Sequence, residues 1–235
     1  MIVVFGSVNL DLVTRVARFP APGETVAGTS FHMVVGGKGA NQSLAAARAG
    51  AQVRLYGALG CDALAAMAIE TLSSGGVDVD GLGRRDAPSG CAIVQVDDRG
   101  ENCIVVVPGA NAFADPDSVP EALLCAGSTL LLQHEVPARF AAAGSAAVAS
   151  LAVVVTLGAA GAIAASDGEQ FAVPAPCVDV FDTTGAGDAF VGTLAAALDG
   201  GSTLALAVRR AVAAGSHACT EQGARKPRAS SMGRT

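Results

Sequence analysis

The sequence predicts an α/β protein built on a mostly parallel sheet, and three observations carry that prediction. Short apolar runs of strand length alternate along the chain with amphipathic stretches of helix length. Two glycine-rich strings, one near residue 37 and one near residue 186, each stand between an extended run and a helical pattern. Hydrophobic residues make up 51% of the 235, and charged residues 15%, which supplies a large core for one domain rather than two.

Residues 2–5 form a short apolar run stopped by Gly6-Ser7, the pattern of a buried strand. After a polar, proline-containing stretch, residues 26–35 read as further strand and 41–49 as a helix closed by Gly50. Strand follows over 53–56, and Asp62 is placed to cap a helix running to about Ser74. Residues 91–96 and 103–107 flank Asp98-Arg99-Gly100 as a hairpin. Asp115-Pro116 has the form of a helix entry, and 129–132 is a buried strand. Residues 153–156 are strand again, with a hairpin turning at Asp167-Gly168 into Phe171-Ala172-Val173. A strand is predicted over 177–181, then a long helix from Gly187 with Phe190, Leu194, Ala197 and Leu198 on one face. Leu204, Val208, Ala211 and Val212 repeat that stripe on a last helix, and residues 224–235 read as a disordered tail.

Charge and composition exclude several roles. A net charge of -6 and a pI near 5.0 argue against a nucleic-acid partner, which needs a basic surface. With no tryptophan and one tyrosine, stacking on bases is not a mode of action either. The six cysteines include no C-x-x-C pair, and the first residues lack a secretory pattern, so free thiols in the cytoplasm are expected. Residues 140–166 carry no charge, yet their alanine and glycine content predicts a buried helix and strand rather than a membrane span.

The chemistry concentrates in Asp182-Thr183-Thr184-Gly185-Ala186-Gly187-Asp188. Gly185 and Gly187 permit a tight turn that presents bare N–H groups at a helix start, where the helix dipole favours an anion. A carboxylate in such a place repels phosphate unless it has work to do, and deprotonating an attacking hydroxyl is such work for Asp188. Gly36-Gly37-Lys38-Gly39-Ala40-Asn41 allows close backbone approach and offers Lys38 and Asn41 as donors, although a purely structural turn is equally compatible. It is not a Walker loop, because the G-x-x-x-x-G-K-[ST] spacing is absent. Asn9 and Asp11 share one side of an extended chain and can bind vicinal hydroxyls, or form an Asx turn. Glu135 lies just past a strand end, where ligands gather in open α/β sheets.

In this order, and with Gly57-Ala58-Leu59-Gly60-Cys61-Asp62, Gly109-Ala110-Asn111 and Gln133-His134-Glu135 between them, the motifs resemble the ribokinase-like carbohydrate kinase family. The resemblance runs over residues 1–135 and 153–223. It implies a three-layer sandwich with a central mostly parallel sheet, forming one domain over 1–223. It also implies a small β lid from about 10–34 and 90–108, with a possible homodimer through that lid. By resemblance, Asn9, Asp11, Gly37, Lys38, Asn41 and Glu135 hold the sugar, a pentose such as ribose. Gly185, Ala186 and Gly187 form the anion hole, and Asp188 activates the primary hydroxyl for attack on the γ-phosphate of ATP. Thr156, Gly158 and Gly161 match the nucleotide loop, while Asp182 and Thr184 match a monovalent-cation site, usually potassium. Magnesium is implied as well, with no ligand assigned.

The chain departs from the family in its middle. Only the 15 residues 138–152 separate Pro137 from Val153, where relatives carry further strands and helices and an Asn-x-x-Glu motif that this interval lacks. Three outcomes stay open on sequence alone: a pentose kinase, a kinase for another sugar or a nucleoside, and a shortened homologue that binds sugar without turnover.

Overall fold

A computed structural model describes residues 1–124, 128–137, 152–166 and 169–220. The expected tail from 224 and nearly all of the shortened middle, 138–151, lie outside the described residues.

The central sheet is parallel. Strand β1 (Ile2–Phe5) lies between β4 (Val53–Leu59) and β9 (Thr129–Leu132), and β5 (Val77–Asp78) and β6 (Leu82–Arg84) both pair with β4. Strand β1 is buried on both faces, as its unbroken apolar run requires. Ile2 and Val4 enter the core formed with helices α1 (Lys38–Arg48) and α2 (Ala63–Ser74). Val3 and Phe5 point the other way, to Tyr56, Ala110, Ala114 and Val119. Asp62 caps α2 as expected, accepting from Ala65 N at 2.9 Å, and its second oxygen accepts from Ser89 N at 2.7 Å. Burial pushes this carboxyl up, but the hydrogen bonds from Ser89 and Ala65 outweigh it and hold its pKa below the usual aspartate value.

The lid is a four-stranded sheet in the order β3-β2-β7-β8, made of β2 (Asn9–Val16), β3 (Gly28–Gly36), β7 (Gly90–Val96) and β8 (Asn102–Val107). Its register puts Met33, Leu12, Ile93 and Val105 in one row and Val34, Asp11, Ala92 and Val106 in the next. Neighbouring rows point to opposite faces. One face therefore carries Asn9 and Asp11, and the other carries Phe31, Met33, Ile93 and Val105, all substantially exposed. Asn111 pins the lid root: it bonds Val8 N and O, and its Nδ2 donates to Asn9 Oδ1 at 2.8 Å.

Several expectations need correction. Helix α1 starts at Lys38, not 41, because the turn into it is made at Gly37, at φ 86. A Cβ on Gly37 would sit 2.8 Å from Ser7 O, and one on Gly39 2.6 Å from Gly6 C, so only glycine lets this loop lie on the end of β1. The helix expected at Asp115-Pro116 is one 3-10 turn, Pro116–Ser118. Residues 177–181 are not a strand. No described strand lies beside them, and Phe181 N and Asp182 N instead donate to Cys219 O.

The parallel sheet also stops earlier than expected. Among the described residues β9 pairs only with β1 and is half-buried, not buried. Strand β10 (Val153–Thr156) belongs to a separate antiparallel sheet with β11 (Ala162–Ser166) and β12 (Glu169–Val173), and Val155 is 51% exposed. That sheet packs on α3 (Ala186–Asp199) and α4 (Leu204–Ala218) through Ala162, Ala164, Phe190, Val208 and Val212. The two halves meet where α3 crosses α1 at Gly192, against Gln42, Ala45 and Ala46. Among the described residues no helix is long and apolar enough to cross a membrane, and Cys61, Cys91, Cys103, Cys177 and Cys219 are free.

Candidate active site

Three ends of structure converge: the start of β2, the first turn of α1, and the first turn of α3, with the segment after β9 beneath them. Gly185 stands before α3 in the left-handed region at φ 79, which reverses the chain so that the helix starts at Ala186. Ala186 N donates to Thr183 O at 3.3 Å and Ala189 N to Gly185 O at 2.9 Å, so the Gly187 and Asp188 N–H groups stand ahead of the helical ladder, where an anion is favoured. Nothing lies within 4 Å of where a Gly187 Cβ would be, so the space before these donors is open.

Asp188 reaches across to α1. Asn41 Nδ2 donates to its Oδ2 at 3.1 Å and Gln42 Nε2 to its Oδ1 at 3.2 Å. Burial pushes the Asp188 carboxyl above the usual aspartate value. Hydrogen bonds from Gln42 and Asn41 and the Lys38 ammonium offset part of this, while Glu135 adds to it. Glu135 Oε2 accepts from Ser7 Oγ at 2.6 Å and from Lys38 N at 3.1 Å. Gln133 Nε2 donates to Gln42 Oε1 at 2.8 Å.

Of the sugar-side candidates, Asn41 and Glu135 join this cluster directly, and Lys38 joins through its backbone and its charge. Gly37 supplies the turn, at φ 86. Asp11 lies over Gly36, where a Cβ would fall 2.1 Å from its Oδ1. Asn9 is buried, and its Oδ1 accepts from Asn111 Nδ2. Asp182 accepts from Thr184 N at 2.8 Å in a local turn and is tied to the end of α4 through Cys219 O. Thr156, Gly158 and Gly161 are held on the β10–β11 connection. That connection joins the cluster only through the core it shares with α3 and α4. Gly161 (φ 97) lies so close to β12 that a Cβ would sit 2.1 Å from Val173 O.

Ser7, Gln42 and Gln133 went unassigned in the sequence reading. Gln42 follows Asn41 on α1, and Gln133 precedes Glu135 by two in an extended stretch, so each had a neighbour already flagged. Among the described residues no group of three or more His, Cys, Asp or Glu is placed to hold a metal.

Comparison with known proteins adds to this picture. The model of the pfkB family carbohydrate kinases matches residues 1–147 and 118–231. A ribokinase of Mus musculus is 31% identical over an alignment of 259 positions, covering 83% of this chain and 80% of that protein. Because 259 exceeds the 235 residues present, the relative carries segments this chain lacks. The crystal structure of a ribokinase from Thermotoga maritima superposes with a TM-score of 0.88 at 27% identity, covering 95% of this chain and 94% of that one. The Arabidopsis thaliana ribokinase complexed with ribose and ATP gives a TM-score of 0.82 at 27% identity, covering 94% and 93%.

Proposed function

The chain belongs to the pfkB family of carbohydrate kinases, phosphotransferases with an alcohol group as acceptor, and from that membership we propose that it phosphorylates the primary hydroxyl of D-ribose with ATP. The observation that carries this reading is the bond between Asp188 at the mouth of the anion site and Asn41 of the sugar loop, 147 residues apart in sequence. A base and a hydroxyl-binding loop then face one cleft.

In this reading Asn9, Asp11, Gly37, Lys38, Asn41 and Glu135 hold the sugar. Glu135, fixed by Ser7 and the Lys38 N–H, accepts from its hydroxyls through the remaining oxygen. The Asp188 carboxylate takes the hydroxyl proton as that oxygen bonds to the γ-phosphorus, and the bond to the β-phosphate oxygen breaks, releasing ADP. Gly185, Ala186 and Gly187 form the anion hole of this reading: the Gly185 and Gly187 N–H groups, joined by that of Asp188, face the charge that grows on the transferring group, while the Ala186 N–H is already given to Thr183 O. A pKa raised by burial makes the ionised Asp188 a stronger proton acceptor than an exposed aspartate.

Thr156, Gly158 and Gly161 line the nucleotide side, and Asp182 with Thr184 would hold a potassium ion beside the anion site. A magnesium ion bound with ATP would supply charge neutralisation on the phosphates, with no ligand of this chain assigned to it. The free thiols suit a cytoplasmic setting, and one domain spans 1–223.

The apolar lid face of Phe31, Met33, Ile93 and Val105 lies opposite the Asp11 face and is proposed to pair with a second copy of the chain. Ile93→Lys, placing a charge mid-face, is expected to shift the mass measured by light scattering from dimer to monomer. A wild-type monomer would remove the proposal.

Purified protein with ribose, ATP, magnesium and potassium should release ADP in a coupled assay in step with ribose 5-phosphate. Ribose bound without ADP release would make this shortened chain a binding homologue. A higher kcat/KM for another sugar or a nucleoside would reassign the substrate.

A further inference from the structure

Resting on the kinase reading above, we propose that Gln42, oriented by Gln133, is the positioning residue that holds the Asp188 carboxylate in place as proton acceptor. Gln42 is 7% exposed, on the first turns of α1, and its amide is used at both ends. It accepts from Gln133 Nε2 at 2.8 Å and donates to Asp188 Oδ1 at 3.2 Å.

A glutamine amide has nearly the same shape when turned over, so its neighbours decide which end faces which. An ionised carboxylate only accepts, which demands the N–H2 end of Gln42. The Gln42 oxygen then needs a donor behind it, and Gln133 provides one. The polarity runs on to Gln133 Oε1, which is buried and has no partner among the described atoms. It lies against Gly6, where a Cβ would come within 1.9 Å of it. A buried, unpaired carbonyl costs free energy, and the alternative, with both amides turned over, would face a Gln42 oxygen to the Asp188 carboxylate. The direction of the two-amide chain is thus set at the Asp188 end. The charged groups facing Asp188 are Lys38 from α1 and Glu135 from the segment after β9, so the two amides work between opposed charges.

The test uses Gln42→Met and Gln133→Met, both similar in length and without polar atoms. Three quantities are read in the full-length protein: the pH profile of kcat/KM for ribose, the 13C-NMR titration of the Asp188 carboxyl, and the urea midpoint. The carboxyl resonance is assigned by its loss in Asp188→Asn. Gln42→Met should lower kcat about tenfold, with the ribose KM within about twofold. Its acid limb and its carboxyl titration should both move to higher pH, since a donor to the charged form is gone. Gln133→Met should move both the same way by less, while its urea midpoint holds or rises because the orphan oxygen is removed. Unchanged carboxyl titration in both variants would overturn the proposal. If the wild-type protein does not phosphorylate ribose, the functional reading fails, but the carboxyl titration still decides the role of Gln42. If Gln42→Met does not fold, Gln133→Met decides it.

Discussion

Asp188→Ala is expected to lower kcat for ribose phosphorylation by a factor on the order of 10³, with ribose affinity changed less than about threefold. The substitution removes the group that accepts the hydroxyl proton and leaves the anion-site N–H groups in place, so residual turnover comes from positioning alone. Ribose affinity changes less because Glu135 is held by Ser7 and the Lys38 N–H and Asn9 by Asn111, so that of these sugar-side groups Asn41 is the one that loses a bond to Asp188. Steady-state kinetics and equilibrium ribose binding on the same preparation separate the two effects. The pH dependence has a definite sign. Burial raises the Asp188 pKa, and the ionised form is the base, so kcat/KM falls as the solution is acidified through a value above the ordinary aspartate range. That limb should vanish in Asp188→Ala. Turnover near the wild-type level in the variant would place the base elsewhere.

Gly192→Val is expected to be the most damaging substitution outside the cleft. A Cβ at 192 would sit 2.5 Å from Ala45 Cβ and 2.7 Å from both Ala46 N and Gln42 O. Two of those three atoms are backbone, so no side chain can swing aside. Helices α1 and α3 would have to separate, at a cost of about 3 kcal/mol or more. The same separation draws Asp188 away from Asn41 and Gln42, because the three residues sit on these two helices near their crossing. Urea denaturation should show the midpoint lowered, and whatever protein remains folded should have a reduced kcat. A midpoint equal to wild type would mean that the helices are not in backbone contact.

Much of this site was legible in the sequence because glycines mark it. Gly37 and Gly39 are required where α1 meets the end of β1, and Gly185 where the chain reverses into α3; those constraints write themselves as strings. Asp188 was readable as a residue to follow because an acid at a glycine-marked helix start needs a reason, and the structure brings it onto Asn41 and Gln42 of α1. Gln42 and Gln133 were not, since a glutamine carries no charge and its importance lies in which end faces a neighbour 91 residues away. The fold followed the same pattern. The buried run of β1 and the hairpin of β7 and β8 were plain from periodicity. The break after β9 was signalled by the short interval 138–152; which strands would pair beyond it was not, because strand sequences specify a pleated, apolar surface and say little about which strand lies alongside. The expected strand over 177–181 failed for this reason: its apolar letters found an acceptor at the end of α4 instead of a neighbouring ladder.

Among the described residues no ladder joins β9 to β10. Across a continuous ladder stiffness is shared by many amide links, whereas here the described halves meet at the crossing of α1 with α3, at the contacts of α3 with β1 and β9, and at the ion pair of the Met1 ammonium with Asp199. A displacement of the block that holds β10–β12, α3 and α4 against the rest would have to slide α3 along α1, the shear that packed helices allow. Asp188 and the β10–β11 connection both lie in that block, so such a slide would keep their separation and change the spacing between Asp188 and Asn41.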